Sequence, residues 1–229
     1  MGTQPAPSAT KAMKVASGAE SDSDSLSALA SSTTNIDTRG ITPLGASIFA
    51  QAVVAYDKAT TQASSPDAGL AAVEHFGSQV KPPIDYRTYA ASDIRTVSDT
   101  SKDRTLSYRA DLRTALEPLL ENKDYELDVF ANYVDTKDAK YLAELKNISQ
   151  NYKTAITNTE KVVAPQDAAS YQAAILTAMS EFSATLDALA DNASDPFASA
   201  ALLRTFIDAQ DNMIASFNSI GKYASQKIL

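Results

Sequence analysis

Apolar side chains recur at intervals of three and four along most of the chain, a spacing that predicts helices rather than strands. Thr42 ahead of Pro43 reads as a cap with a first-turn proline, and Phe49, Ala52, Val53, Tyr56 and Ala59/Thr60 follow as one face. Ser65 and Pro66 open a second helix with a stripe at Leu70, Val73, Phe76 and Val80, which makes a hairpin with the first. A third, "SKDRTLSYRADLRTALEPLLENKD", carries Leu106, Leu112, Leu116 and Leu119/Leu120, and Pro118 is expected to kink or end it. Leu127, Phe130, Tyr133 and Val134 mark a short fourth. Tyr141, Leu145, Ile148, Tyr152, Ala155/Ile156 and Val162/Val163 mark the longest clear helix, with polar residues filling the remainder. Pro165 and Asp167 suit the first turn of the next, lined by Tyr171, Ile175, Ala178/Met179, Phe182, Leu186 and Leu189. The last is expected to be capped by Asp195 with Pro196 at its first position. Its stripe runs through Phe197, Leu203, Phe206/Ile207, Gln210, Ile214, Phe217 and Gly221.

The pattern breaks at Val80–Thr100, "VKPPIDYRTYAASDIRTVSDT". Pro82 and Pro83 stop the preceding helix, because neither can donate to its ladder and each biases the residue before it toward an extended shape. Ile84, Tyr86, Tyr89, Ile94 and Val97 are too many large groups for a loose loop, and Asp93 or Asp99 can close turns on nearby amides. The segment is therefore expected to be an ordered crossover, with Asp93–Val97 as its one extended fragment. The fold class is all-α: an irregular helical bundle of about six or seven helices with one long ordered crossover. Residues 1–37, rich in Pro, Ala, Ser and Asp, read as a flexible lead, and 38–229 as one helical-bundle domain.

Charge and chemistry narrow the function classes. The chain has 28 acidic against 20 basic side chains and a formal charge of −8, which argues against nucleic acid and against a hold on anionic lipid. Cysteine is absent, so disulfides, thiol nucleophiles and zinc thiolates are excluded. The sole histidine, His75, is read as an ordinary helix residue; a carboxylate-bridged di-iron bundle needs more than one. No glycine-rich phosphate loop and no G-x-S-x-G nucleophile turn is present. The loop Asp191–Pro196 has oxygen atoms for a hard cation but lacks EF-hand spacing, and a helix cap accounts for it. No run of about eighteen apolar residues exists to span a bilayer. The beginning "MG" before a Pro/Ala/Ser tract reads either as a natural cytosolic start or as a replacement for an export signal or anchor.

No catalytic residue, cofactor or metal ligand is assigned on these grounds. The candidate interaction surface is the tyrosine group Tyr86, Tyr89, Tyr108 and Tyr125, in and around the crossover. Glu117, Glu121, Asp124 and Glu126 are the densest acid cluster; they serve a rival reading, a hydrolase or ligand-binding bundle with carboxylates in an interhelical cleft.

The order of "TRGITPLGASIFAQAVVAY", "YRTYAASDIRTV", "LSYRADLRTALEPLL", "APQDAASYQAAILTAMSEFSATLDAL" and "DPFASAALLRTFIDAQDNM", over roughly residues 34 to 225, resembles helical, exported or membrane-anchored proteins of candidate-phylum bacteria with very small genomes. The resemblance implies placement outside the cytoplasmic membrane, with the lead as a spacer beyond an anchor; a cytoplasmic location is the alternative. It carries over no site residue. The expectation is a non-enzymatic extracytoplasmic domain that contacts another envelope or surface protein.

Overall fold

The computed structural model describes residues 40–228, and the lead assigned to residues 1–37 lies outside them. Among the described residues seven α-helices form in chain order: α1 Pro43–Ala63, α2 Pro66–Gln79, α3 Lys102–Ala115, α4 Glu126–Thr136, α5 Ala139–Thr159, α6 Ala169–Asp191 and α7 Pro196–Ile228. The bundle is all-α, as the periodicity predicts, and its seven helices agree with the six or seven expected.

Helix α6 is the centre of the bundle. It has only Glu181, Asp187 and Asp191 as charges, so it can be covered on nearly every side, and Ile175, Leu176, Met179, Phe182, Leu186 and Leu189 are all fully buried. α5 packs on one flank and α7 on the other; α4 lies on α5, and α3 crosses both α5 and α7. Aromatic rings join the three inner helices. Phe182 of α6 meets Tyr152 of α5 and Phe206 of α7, each at a centroid distance of 5.0 Å.

Buried polar groups are tied into the same core. Ser149 on α5 donates to the Ser183 carbonyl on α6 at 3.0 Å. Gln172, fully buried, donates to the carbonyls of Thr159 and Val162 at 2.9 and 3.2 Å, so α6 ties down the backbone at and just past the C-terminal end of α5.

The hairpin of α1 and α2 joins this core through α1, which rests on α7. Thr42 caps α1, accepting from the Gly45 amide at 3.2 Å, with Pro43 at the first helical position. Between α1 and α2 a close approach requires Gly69, since a Cβ there would overlap Tyr56 and Thr60. Among the residues expected to line these helices, Val53, Tyr56 and Leu70 are exposed.

The crossover is ordered, in agreement with its apolar content. Its amides at Arg87 and Tyr89 donate to Ser180 Oγ and Thr177 Oγ1 on α6 at 3.0 and 2.9 Å. Asp93 accepts from the Ala90 amide and Asp99 from the Ser101 amide, each at 2.9 Å, so both acids close the turns expected of them. Ile94 is buried in the main core. The extended fragment is real but short: β1, Thr96–Val97, pairs in parallel with β2, Ala164–Pro165, in the α5–α6 connection.

Three details depart from the sequence pattern. α6 begins at Ala169 rather than beside Pro165, because Pro165 lies in β2 and Gln166–Ala168 make a 3-10 turn first. α3 is rotated: Thr105, Tyr108, Leu112 and Ala115 face inward, whereas Leu106 is exposed, and the helix ends at Ala115 so that exposed Leu120 lies in the 3-10 segment Glu117–Glu121 that follows. On α7 the buried line runs through Ala198, Leu202, Phe206, Ala209, Ile220 and Tyr223, and Ile207 and Ile214 are left outside.

Candidate functional site

Two hollows carry the side chains of interest. The first lies where the crossover passes over α5 and α6, a shallow space of about 460 Å³ bordered by Tyr86, Arg87, Tyr89, Lys153, Glu160 and Asp187. Glu160 is its hub. Its Oε1 accepts from Arg87 Nη1 at 2.7 Å and from the Tyr89 hydroxyl at 2.8 Å, and the Arg87 guanidinium lies 4.3 Å from the Tyr89 ring centre. Burial, helped by the neighbouring Glu160 carboxylate, pushes the Tyr89 hydroxyl up to about 12. Lys153 and Asp187 pair at 2.5 Å on the same border. The Arg87–Glu160 pair fastens the crossover to the end of α5, and the Lys153–Asp187 pair ties α5 to α6 beside it.

The second hollow is a groove of about 860 Å³ between α3 and the last turns of α7. Leu112, Phe217, Ile220 and Ala224 give it an apolar floor, and Leu116 and Leu120 form a lip. Leu120 is 78% exposed, more than any other large apolar side chain that the structure describes. Arg109 and Arg113 stand on the α3 wall and Lys222 on the α7 wall, and among the described residues no carboxylate side chain lines the groove. Among the described residues none of these three cations makes an ion pair.

The four tyrosines proposed from sequence are not gathered into one patch. Tyr86, at 38% exposure, and the half-buried Tyr89 line the crossover hollow. Tyr125 is exposed and its hydroxyl bonds Gln210 of α7 at 3.1 Å. Tyr108, at 1% exposure, is a core residue behind the α3–α7 groove, its hydroxyl pushed up by burial. Its ring is hidden because α3 turns the Thr105–Tyr108–Leu112 face inward.

The acids of the rival cluster differ in burial. Glu117, Glu121 and Asp124 are exposed, while Glu126 is half-buried and near the Tyr152 hydroxyl at 3.4 Å. Burial raises the Glu126 carboxyl above the ordinary range, partly offset by hydrogen bonds from its own amide and Tyr152. No three His or acidic residues converge in a metal-binding group among the described residues. His75 is exposed on α2. In the loop Asp191–Pro196, Asp191 pairs with Lys146 at 2.7 Å and Asp195 caps α7 through the amides of Phe197 and Ala198, so the cap reading of that loop describes it.

The groove cations escaped the sequence reading, although a signal existed. Neither Arg109 nor Lys222 has an acid three or four residues away, and Glu117, four past Arg113, follows the end of α3 at Ala115. Cations without helical partners are the ones free to face something else.

These features define an all-α helical bundle with an open cationic groove. No protein-family model, curated protein or solved structure matches the chain.

Proposed function

We propose that this chain is a non-enzymatic helical domain that works by contact with another protein, outside the cytoplasm at the cell envelope or surface. The observation that carries the contact reading is the α3–α7 groove, where an apolar floor meets cations that form no ion pair among the described residues. Around the crossover, by contrast, Arg87 is already paired with Glu160 and Lys153 with Asp187, and Tyr86 offers an exposed ring at its edge. The extracytoplasmic placement rests on the family resemblance and is in keeping with a chain that uses no cysteine. No described helix is long and apolar enough to cross a membrane. Glu126 with its raised carboxyl is the one observation favouring the carboxylate-cleft reading, but it lines neither hollow.

The test is fractionation of the native gene product, combined with photo-crosslinking in cells from a reactive side chain at Tyr86 and, separately, at Leu120. Recovery outside the cytoplasm with a discrete protein adduct at either position is expected. A cytosolic product ends the placement, and no adduct at either position ends the contact reading.

A further inference from the structure

We propose that the α3–α7 groove receives an acidic amphipathic helix of a partner protein, laid with its apolar face on the floor and its carboxylates along both borders. The inference rests on the contact reading above and names the chemistry of its partner.

Three observations specify the occupant. The floor is apolar and lies between two helices, and such a trough is the shape a third helix fills with its side-chain ridges. Leu120 projects at its lip, where a helix laid in the trough would cover it. The cations stand on both walls: Arg109 and Arg113 are one helical turn apart on α3, and Lys222 is across from them on α7. An apolar strip bordered by cations on each side calls for an apolar stripe bordered by carboxylates on each side, the pairing logic of facing helices. A fatty acid brings one carboxylate at one end, so it would leave cations on at least one wall without a partner.

Charge also supplies selectivity. The chain carries −8 overall, so an acidic helix is repelled by most of its surface and drawn to this groove, which no carboxylate side chain of the described residues lines.

The test is an amide-shift titration of the full chain with synthetic helical peptides of about eighteen residues, long enough to hold a helix on a surface. One peptide carries a leucine stripe bordered by glutamates; a second has glutamine and a third lysine at those positions. Palmitate forms a fourth arm. The glutamate peptide is expected to shift amides of α3 and of Phe217–Gln226, and to bind roughly tenfold more tightly than the glutamine peptide. The double variant Arg109→Glu with Arg113→Glu is expected to lose the glutamate peptide and gain the lysine peptide, a reversal that a merely unfolded variant cannot produce. Equal binding of the glutamate and glutamine peptides, shifts outside the groove, no binding, or palmitate alone in the groove overturns the proposal. If the peptides fail while a crosslink forms at Tyr86, contact stands and this groove is not its site; if Tyr86 and Leu120 are both silent, contact fails with it.

Discussion

Asp195 holds Thr42 through a single carboxylate oxygen: Oδ2 accepts from the Thr42 amide at 2.5 Å and from its hydroxyl at 2.8 Å. The other oxygen accepts from the amides of Phe197 and Ala198 at 2.9 and 3.1 Å. One side chain thus caps α7 and grips the cap of α1, with the positive ends of both helix dipoles turned to one negative charge. Asp195 is 0% exposed, so its lost hydration is replaced wholly by these donors.

Asp195→Ala removes the acceptors and leaves the donors of two helix ends unmatched. A loss of roughly 3 kcal/mol is expected in urea unfolding. Asp195→Asn retains one acceptor oxygen and is expected to lose less. Equal stability of wild type and the alanine variant would show that the contact does not hold the two helices.

The same carboxylate sets a pH dependence. Burial pushes it up, but the four hydrogen bonds outweigh burial and hold it below the ordinary aspartate value. A depressed carboxyl contributes stability that is present above the unfolded value of about 3.9 and lost as pH falls through the folded value. Melting temperature measured at about pH 5 and about pH 3 is expected to fall, with a smaller fall in Asp195→Asn. An identical fall in both proteins would assign the effect to other acids.

Gly45 is the third partner in this contact. A Cβ there would overlap the Asp195 carboxylate, so Gly45→Ala is expected to cost about 2 kcal/mol and to part α1 from α7. Hydrogen exchange reads the result directly: amides of α1 and α2 exchange faster, while those of α5 and α6 keep their protection.

Glu160 fixes the crossover. Partial trypsin digestion is expected to spare Arg87 and Arg95 in the wild type, because the segment is bonded to α5 and α6. Glu160→Ala removes the partner of both Arg87 and Tyr89, which is expected to cost only about 1 kcal/mol because the Arg87 pair is largely solvated, yet to expose Arg87 to cleavage. Unchanged digestion would mean that the backbone bonds to Ser180 and Thr177 suffice.

The parts of the fold legible in the sequence are those decided locally. Thr42 with Pro43 and Asp195 with Pro196 mark helix starts because cap and proline act within one turn. Asp93 and Asp99 close turns with amides two or three residues away. What was illegible depends on which elements become neighbours. Leu106 and Tyr108 are both apolar enough to face inward, and only the packing of α3 on α5 and α7 selects Tyr108. Pro165 has the chemistry of a helix start, yet pairing with Val97 draws it into β2. The groove was beyond reach for the same reason, since Arg113 and Lys222 are far apart in the chain and meet at one space only when α3 lies beside α7.

The short parallel pairing of β1 with β2 gives the chain a clasp. Thr96 and Ala164 are in register across the excursion of α3, α4 and α5, so the Ala164 amide, bonded to the Arg95 carbonyl at 2.8 Å, closes a long loop whose entropic cost the surrounding core must offset. A single isotope label on that amide would therefore report the closure of that loop.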